Sequence, residues 1–268
     1  SRWRDWADSN SMLTMPLPAA RVRTPAWAAS IPEAVKGYTV KQYQERGPGY
    51  VARLADDGAA MILVNGDGAD WRFWTTTPKT SPATRRIPIV LVAADSERRA
   101  EALIAGADFS LRPEDLTTQL PGLVNDNARI LDPAVIEQLD CECQEALPAM
   151  GQAGIEKFNA GEYYPQHDLF EELWMATEGP VRNLYQAILQ VGIAYYQITR
   201  GNHRGALKML LRSVQWLSML PEVCQGVDVK QLREDSYRVR AELERMQPAD
   251  IEQFDRALLK PVRYEKSS

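Results

Sequence analysis

The sequence predicts an α/β half built on a doubly wound parallel sheet, followed by a compact all-helical half. Between residues 36 and 118, short apolar runs rich in β-branched residues alternate with helical stretches, the pattern of parallel strands covered on both faces. From about residue 130 the apolar residues recur instead at steps of three and four. Pro121, Pro133 and Pro148 interrupt the pattern between the two rhythms. At 268 residues each half is large enough for its own core. The expected division is 1–120, a helical connector over 121–150, and 151–268.

Taken in order, SMLTMPL (11–17) is the candidate first strand, YTVKQY (38–43) the second, and GYVARLADDGA (49–59) a helix. MILVNGD (61–67) and IPIVLVAAD (87–95) are buried strands, and DFSL (108–111) is a short last one. WRFW (71–74) is expected in a loop, with Trp71 and Trp74 either packed under the next helix or serving as interface anchors. SERRAEALIAGA (96–107) is a helix that Ser96 can cap and Gly106 can close. LDPAVIEQLDCECQEAL sets Leu131, Val135, Leu139 and Cys143 at near-helical spacing, so the connector is expected to be rigid and to dock the two halves. Leu184, Ile188, Val191, Tyr195 and Ile198 mark one helix; Leu207, Leu210, Val214 and Leu217 mark another. Between them RGNHRG forms a corner, with Gly201 left-handed at the end of the first helix and Asn202 capping the second, so 182–220 is a helical hairpin. Two more helices are expected at about 229–246 and 249–259, divided by Pro248.

Net charge is −5 with scattered cations, which argues against nucleic acid or acidic lipid as the main partner. Arg200, Arg204, Lys208 and Arg212 suit a modest anionic contact or a solvated face, and no recognition helix with clustered cations is evident. No run reaches the length of a membrane helix, and SRWRDWADSN lacks the apolar core of a signal peptide. Cys141, Cys143 and Cys224 are too few for a disulfide framework, and Cys-x-Cys is not zinc spacing. Reduced thiols in a cytoplasmic protein are expected.

SPATRRIPIVLVAAD (81–95) followed by AEALIAGADFSLRPEDL (100–116), with GYTVKQY and MILVNGDGADW before them, resembles the receiver domains of response regulators over most of 37–118. The resemblance implies a phospho-accepting carboxylate after the third strand, an acidic pair for Mg²⁺ after the first, a hydroxyl after the fourth and a lysine after the fifth. This chain has Asn65, Ala93 and Arg112 at the acceptor, hydroxyl and lysine positions, and Leu17 and Pro18 near the acidic pair. Asp67, two residues on, would rescue the acceptor under a shifted register. The expectation is a pseudo-receiver, a signalling scaffold without phosphorylation.

FNAGEYYPQHDLFEELW (158–174) and RNLYQAILQVGIAYYQITRGNHRGA (182–206) resemble the domain of unknown function 309 family. The matching positions are Phe158, Gly161, His167, Asp168, Glu171, Trp174, Arg200, Gly201, Asn202, Gly205 and Ala206, with Asp168 where Glu is more usual. The resemblance implies an all-helical fold and no particular activity.

His167, Phe170, Glu171 and Trp174 share one helical face. His167 and Glu171 are two ligands where a metal site needs three or four, and acid–base chemistry would need a cleft and a nucleophile that the sequence does not display. The expected role is a buried polar network, with His167 and Glu171 bonded to each other and to Gln190 or Arg200, near Trp174 and Asn202. FNAGEYYPQ and ITRGNHRGA also place Gly161 and Gly201 alike, as helical-repeat proteins do. The function expected is therefore a non-catalytic regulator or scaffold with a protein partner. No cofactor, metal or membrane partner is expected, nucleic acid is not favoured, and self-association is compatible. The alternatives are a small-molecule-binding regulator or a metal-dependent enzyme using His167 and Glu171.

Overall fold

A computed structural model describes residues 12–16, 25–43, 46, 49–81, 83–128 and 132–265. The chain divides into two compact units at Leu131/Asp132. Leu17, Pro18 and Leu131 lie outside the described residues. No helix among the described residues is long and apolar enough to cross a membrane.

In the first unit β1 (Met12–Pro16), β2 (Thr39–Tyr43), β3 (Ala59–Asn65), β4 (Ile89–Val92) and β5 (Phe109–Leu111) form one parallel sheet in the order β2-β1-β3-β4-β5. Parallel neighbours need crossovers. These contain α1 (Ile31–Ala34), α2 (Tyr50–Asp56), α3 (Trp71–Thr76) and α4 (Ser96–Ala105), and α5 (Leu116–Asn127) follows β5. The strand order reverses direction at β1, as in doubly wound sheets. Every residue of β3 and β4 is buried, so both faces of these strands are covered.

On one face Ile62, Val64, Ile89 and Leu91 join Tyr50 and Leu54 of α2, Trp71 and Trp74 of α3, and Ala102 of α4 in one apolar cluster. WRFW is therefore the start of a helix, and the interface role considered for its tryptophans is corrected. Trp71 and Trp74 are 4% and 2% exposed, because a step of three puts both on the helix face turned to the sheet. The N-cap of α4 is Asp95, whose carboxylate accepts from the Glu97 and Arg98 amides, and Ser96 is the first helical residue. Gly106 closes that helix at φ +117°.

The second unit contains α6 (Pro133–Glu142), α7 (Ala149–Asn159), α8 (Tyr163–Ala176), α9 (Arg182–Thr199), α10 (His203–Leu217), a hairpin of β6 (Val223–Cys224) and β7 (Val227–Asp228), and α11 (Val229–Arg245). From α7 to α11 each helix packs on the next. The corners after α7 and α9 are closed in the same way. Gly161 and Gly201 take φ +76° and +71°. Each glycine amide bonds three residues back, to Phe158 or Ile198, and the next amide bonds five back, to Lys157 or Gln197. This is the left-handed helix stop that favours glycine. The expected helix over 249–259 is instead two 3-10 turns, Pro248–Gln253 and Arg256–Leu258, interrupted where Phe254 turns extended and buries its ring.

The expectation of three reduced thiols is also corrected. Cys143, just past α6, is disulfide-bonded to Cys224 of β6 with Cα atoms 4.3 Å apart, and only Cys141 is free. The hairpin turn, Gln225 and Gly226 at φ +48° and +77°, seats itself on the end of α6. The Gln225 amide donates to the Cys143 carbonyl at 2.7 Å, and the Tyr185 hydroxyl donates to Gln225 Oε1 at 2.8 Å. Disulfides are uncommon in reducing compartments, so the cysteines no longer argue for a cytoplasmic location.

Candidate functional site

Ligands of open parallel sheets bind beyond the carboxyl ends of the strands. Asn65 closes β3 and pairs with Val92, Ala93 follows β4 and donates to Leu111, and Arg112 follows β5, so the three sequence-derived positions do share that edge. Asn65 is nearly buried, and its Oδ1 accepts from the Asp67 amide at 3.2 Å. Ala93 is fully buried. Arg112 turns into solvent and bonds the Asp115 carboxylate at 2.7 Å, which raises its pKa further. Asp67 lies in the turn beyond the strand and is exposed. Two other arginines occupy the edge. Arg98 Nη1 donates to the Gly66 carbonyl at 2.6 Å, and Arg99 Nη1 donates to the Ala93 and Ala94 carbonyls at 2.8 and 2.7 Å. Guanidinium groups thus satisfy backbone acceptors at the strand ends.

In the helical unit the face of α8 turned to the core is not the expected one. Gln166, Phe170 and Leu173 are its buried residues. Gln166 Nε2 donates to the Leu189 carbonyl of α9 at 3.3 Å and lies against Gly192. Tyr163 of the same face meets Phe158 and Tyr195 in a trio of rings with centroids 5.3–5.7 Å apart. Burial pushes the Tyr195 phenol far up, helped by Asp235 and Tyr163, and its hydroxyl has no hydrogen-bond partner.

The stripe containing His167 lies about 100° round the helix, half-buried to exposed. The buried His167–Glu171 network is therefore corrected. The His167 side chain is 26% exposed and its Nδ1 meets Asp168 Oδ1 at 3.1 Å, while Glu171 is exposed. The Tyr164 ring stacks on His167 at 5.9 Å and touches Tyr196 of α9 at 5.5 Å. At the other end of the stripe the Arg182 guanidinium sits over half-buried Trp174 at 4.8 Å. Contacts at both ends lay this stripe along the α8–α9 seam, with aromatic rings and one cation facing solvent.

The remaining candidates are scattered. Gln190 is buried with Oε1 unpartnered. Arg200 is exposed. Asn202 is exposed at the corner, where its Oδ1 caps α10 by accepting from Gly205 and its Nδ2 donates to Gln197. His203 is buried and its Nε2 donates to the Leu243 carbonyl at 2.7 Å. Among the described residues no three His, Cys, Asp or Glu side chains are grouped to hold a metal ion. Sequence reasoning missed Tyr164, Arg182 and Tyr196. Their signal was available only as i, i+3 spacing from His167 and as positions opposite it on an antiparallel neighbour.

No curated protein matches the chain. Residues 152–209, which run from α7 through the seam into α10, match the family described as Domain of unknown function (DUF309).

Proposed function

We propose that this protein is a non-catalytic regulator or scaffold that works through protein contacts, with the α8–α9 seam as a contact surface and the first unit as a pseudo-receiver. The observation carrying this reading is the seam. Tyr164, His167, Tyr196, Trp174 and Arg182 form a partly exposed aromatic and arginine strip inside the family-matched segment. Such side chains anchor interfaces because they bury large areas with few rotatable bonds and retain a polar handle. Tyr164 is 53% exposed, and Met175, 71% exposed on the same helix, extends the strip. The pseudo-receiver assignment is supported by the strand order and by Asn65, whose amide lacks the carboxylate oxygen that an acyl phosphate requires.

The test replaces Tyr164 with a photo-crosslinking phenylalanine analogue in the full chain and irradiates it in extract of the source cells. A single protein adduct, lost when Trp174 and Arg182 are changed to alanine, is the expected result. Recovery of only a bound metal or small molecule, with no protein adduct, would overturn the reading.

A further inference from the structure

α10 has one line of residues open to solvent, and that line is entirely cationic. Of its 15 residues only Arg204, Lys208 and Arg212 are exposed. They stand four apart, so they project along one edge at intervals of about 6 Å. Arg200, also exposed, precedes them in the corner. The helix, HRGALKMLLRSVQWL, contains no Asp or Glu. None of the four cations makes an ion pair among the described residues.

Left alone, this arrangement is electrostatically unfavourable. Like charges four apart on a helix repel. Arg204 lies in the first turn, at the positive end of the helix dipole, and that turn has no acidic residue of its own; the nearest carboxylate the corner meets is Glu252, beside Gly201. The whole chain carries −5, and the ridge is a run of positive charge within it. Helical periodicity puts Leu207 and Leu211 along one flank of the ridge and Met209 and Trp216 along the other, all half-buried.

We propose that this ridge docks an acidic amphipathic helix of a partner protein. Carboxylates four residues apart on that helix would pair with Arg204, Lys208 and Arg212, and its apolar residues would cover Leu207 and Leu211. The proposal rests on the contact-module reading above and gives the partner its chemistry. Charge complementarity and matching helical pitch select this occupant. The ridge itself carries no aromatic ring, and Trp216 on its flank is half-buried with its indole nitrogen covered, so α10 has no open ring face on which a nucleic-acid base could stack. Its outermost side chains are cations, not the apolar anchors that hold a helix in a lipid surface.

The probe is a fluorescent synthetic helix with Glu at every fourth position and Leu on the adjoining face, titrated against the full chain by anisotropy. Binding should weaken with salt and fall at least about tenfold in Arg204→Glu/Lys208→Glu/Arg212→Glu, since like charges then meet. The free variant should melt at the same temperature as the wild type or higher, because the first-turn repulsion is relieved. A peptide of the same composition with its carboxylates scrambled should bind more weakly than the patterned one. Equal binding by wild type and variant would overturn the proposal. So would tighter binding of a DNA oligonucleotide or of phosphatidylserine vesicles than of the peptide, or self-association of the wild type that the variant abolishes. Failure of the peptide with the Tyr164 adduct intact refutes the ridge alone, whereas loss of the adduct refutes the seam.

Discussion

Breaking the Cys143–Cys224 disulfide should destabilise the helical unit while leaving it folded. The bond links residues 81 apart in sequence. Opening a loop of that length returns about 4.5 kcal/mol of chain entropy to the unfolded state. With an unfolding entropy of about 2.1 cal/mol/K per residue, the unit should lose roughly 15 °C in melting temperature. Non-covalent contacts hold the same region, which is why the fold should survive. Gln225 bonds the Cys143 carbonyl and Tyr185, and the Glu142 carboxylate accepts from the Val181 amide at 2.8 Å at the start of α9. Urea unfolding tracked by circular dichroism, with and without reductant, measures the loss, and Cys143→Ala/Cys224→Ala provides the same comparison without a reductant. Thiol titration in denaturant should find one reactive cysteine, Cys141, before reduction and all three after. Three thiols before reduction would refute the pairing, and coincident unfolding midpoints would refute the entropy argument.

Particular residues give five further outcomes. Gly154→Ala should destabilise by about 1–3 kcal/mol, because its Cβ would lie 2.6 Å from the fully buried Phe170 ring. Gly122→Ala in α5, whose Cβ meets nothing, should stabilise by about 1 kcal/mol, and thermal melts of the two variants should therefore move in opposite directions. Tyr195→Phe should hold or raise stability by about 1 kcal/mol, since it deletes a buried hydroxyl without a partner; a clear loss in a thermal melt would mean that the hydroxyl is bonded. Burial raises the Asp57 pKa, but hydrogen bonds from Lys41 and Tyr43 outweigh it and leave the folded value below the usual one. Its stabilisation is thus complete above the unfolded value of about 3.9 and fades as pH falls through the folded one. The gap between wild type and Asp57→Asn in urea unfolding should be full at neutral pH and close in acid. Acetyl phosphate should leave the intact mass of the protein unchanged, because Asn65 stands at the end of β3, and an adduct abolished by Asp67→Ala would shift the acceptor to Asp67.

The features legible in the sequence are those that local chemistry determines, and those missed depend on a partner element. Gly161 and Gly201 could be recognised as helix stops because an apolar helix end followed by glycine specifies a backbone angle without reference to the rest of the chain. Asn202 caps its helix for the same reason, through its own side chain. The strands β3 and β4 announced themselves by unbroken apolar runs, since burial on both faces removes any need for alternation. The Cys143–Cys224 pairing had no such signature, because nothing local relates residues 81 apart.

The α8 face was misjudged for a related reason. Its two stripes, Tyr163–Gln166–Phe170–Leu173 and Tyr164–His167–Glu171–Trp174, each combine aromatic and polar side chains at helical spacing. Phe170 stands four residues after Gln166 and three after His167, so spacing alone assigns it to either stripe. The choice is made by Gly192, which opens room on α9 for a buried amide, and by the Leu189 carbonyl, which bonds it. Once Gln166 is seated, the step of 100° per residue turns His167 to the rim of the seam. A polar residue on the core stripe thus expels a histidine from the core, and by doing so supplies the surface with its imidazole, stacked on Tyr164, which in turn touches Tyr196. Stability and contact chemistry on α8 are set by one register. A substitution at Gln166 or Gly192 that rotates the helix should therefore disturb both together, whereas one at His167 should alter the surface and leave stability within about 0.5 kcal/mol.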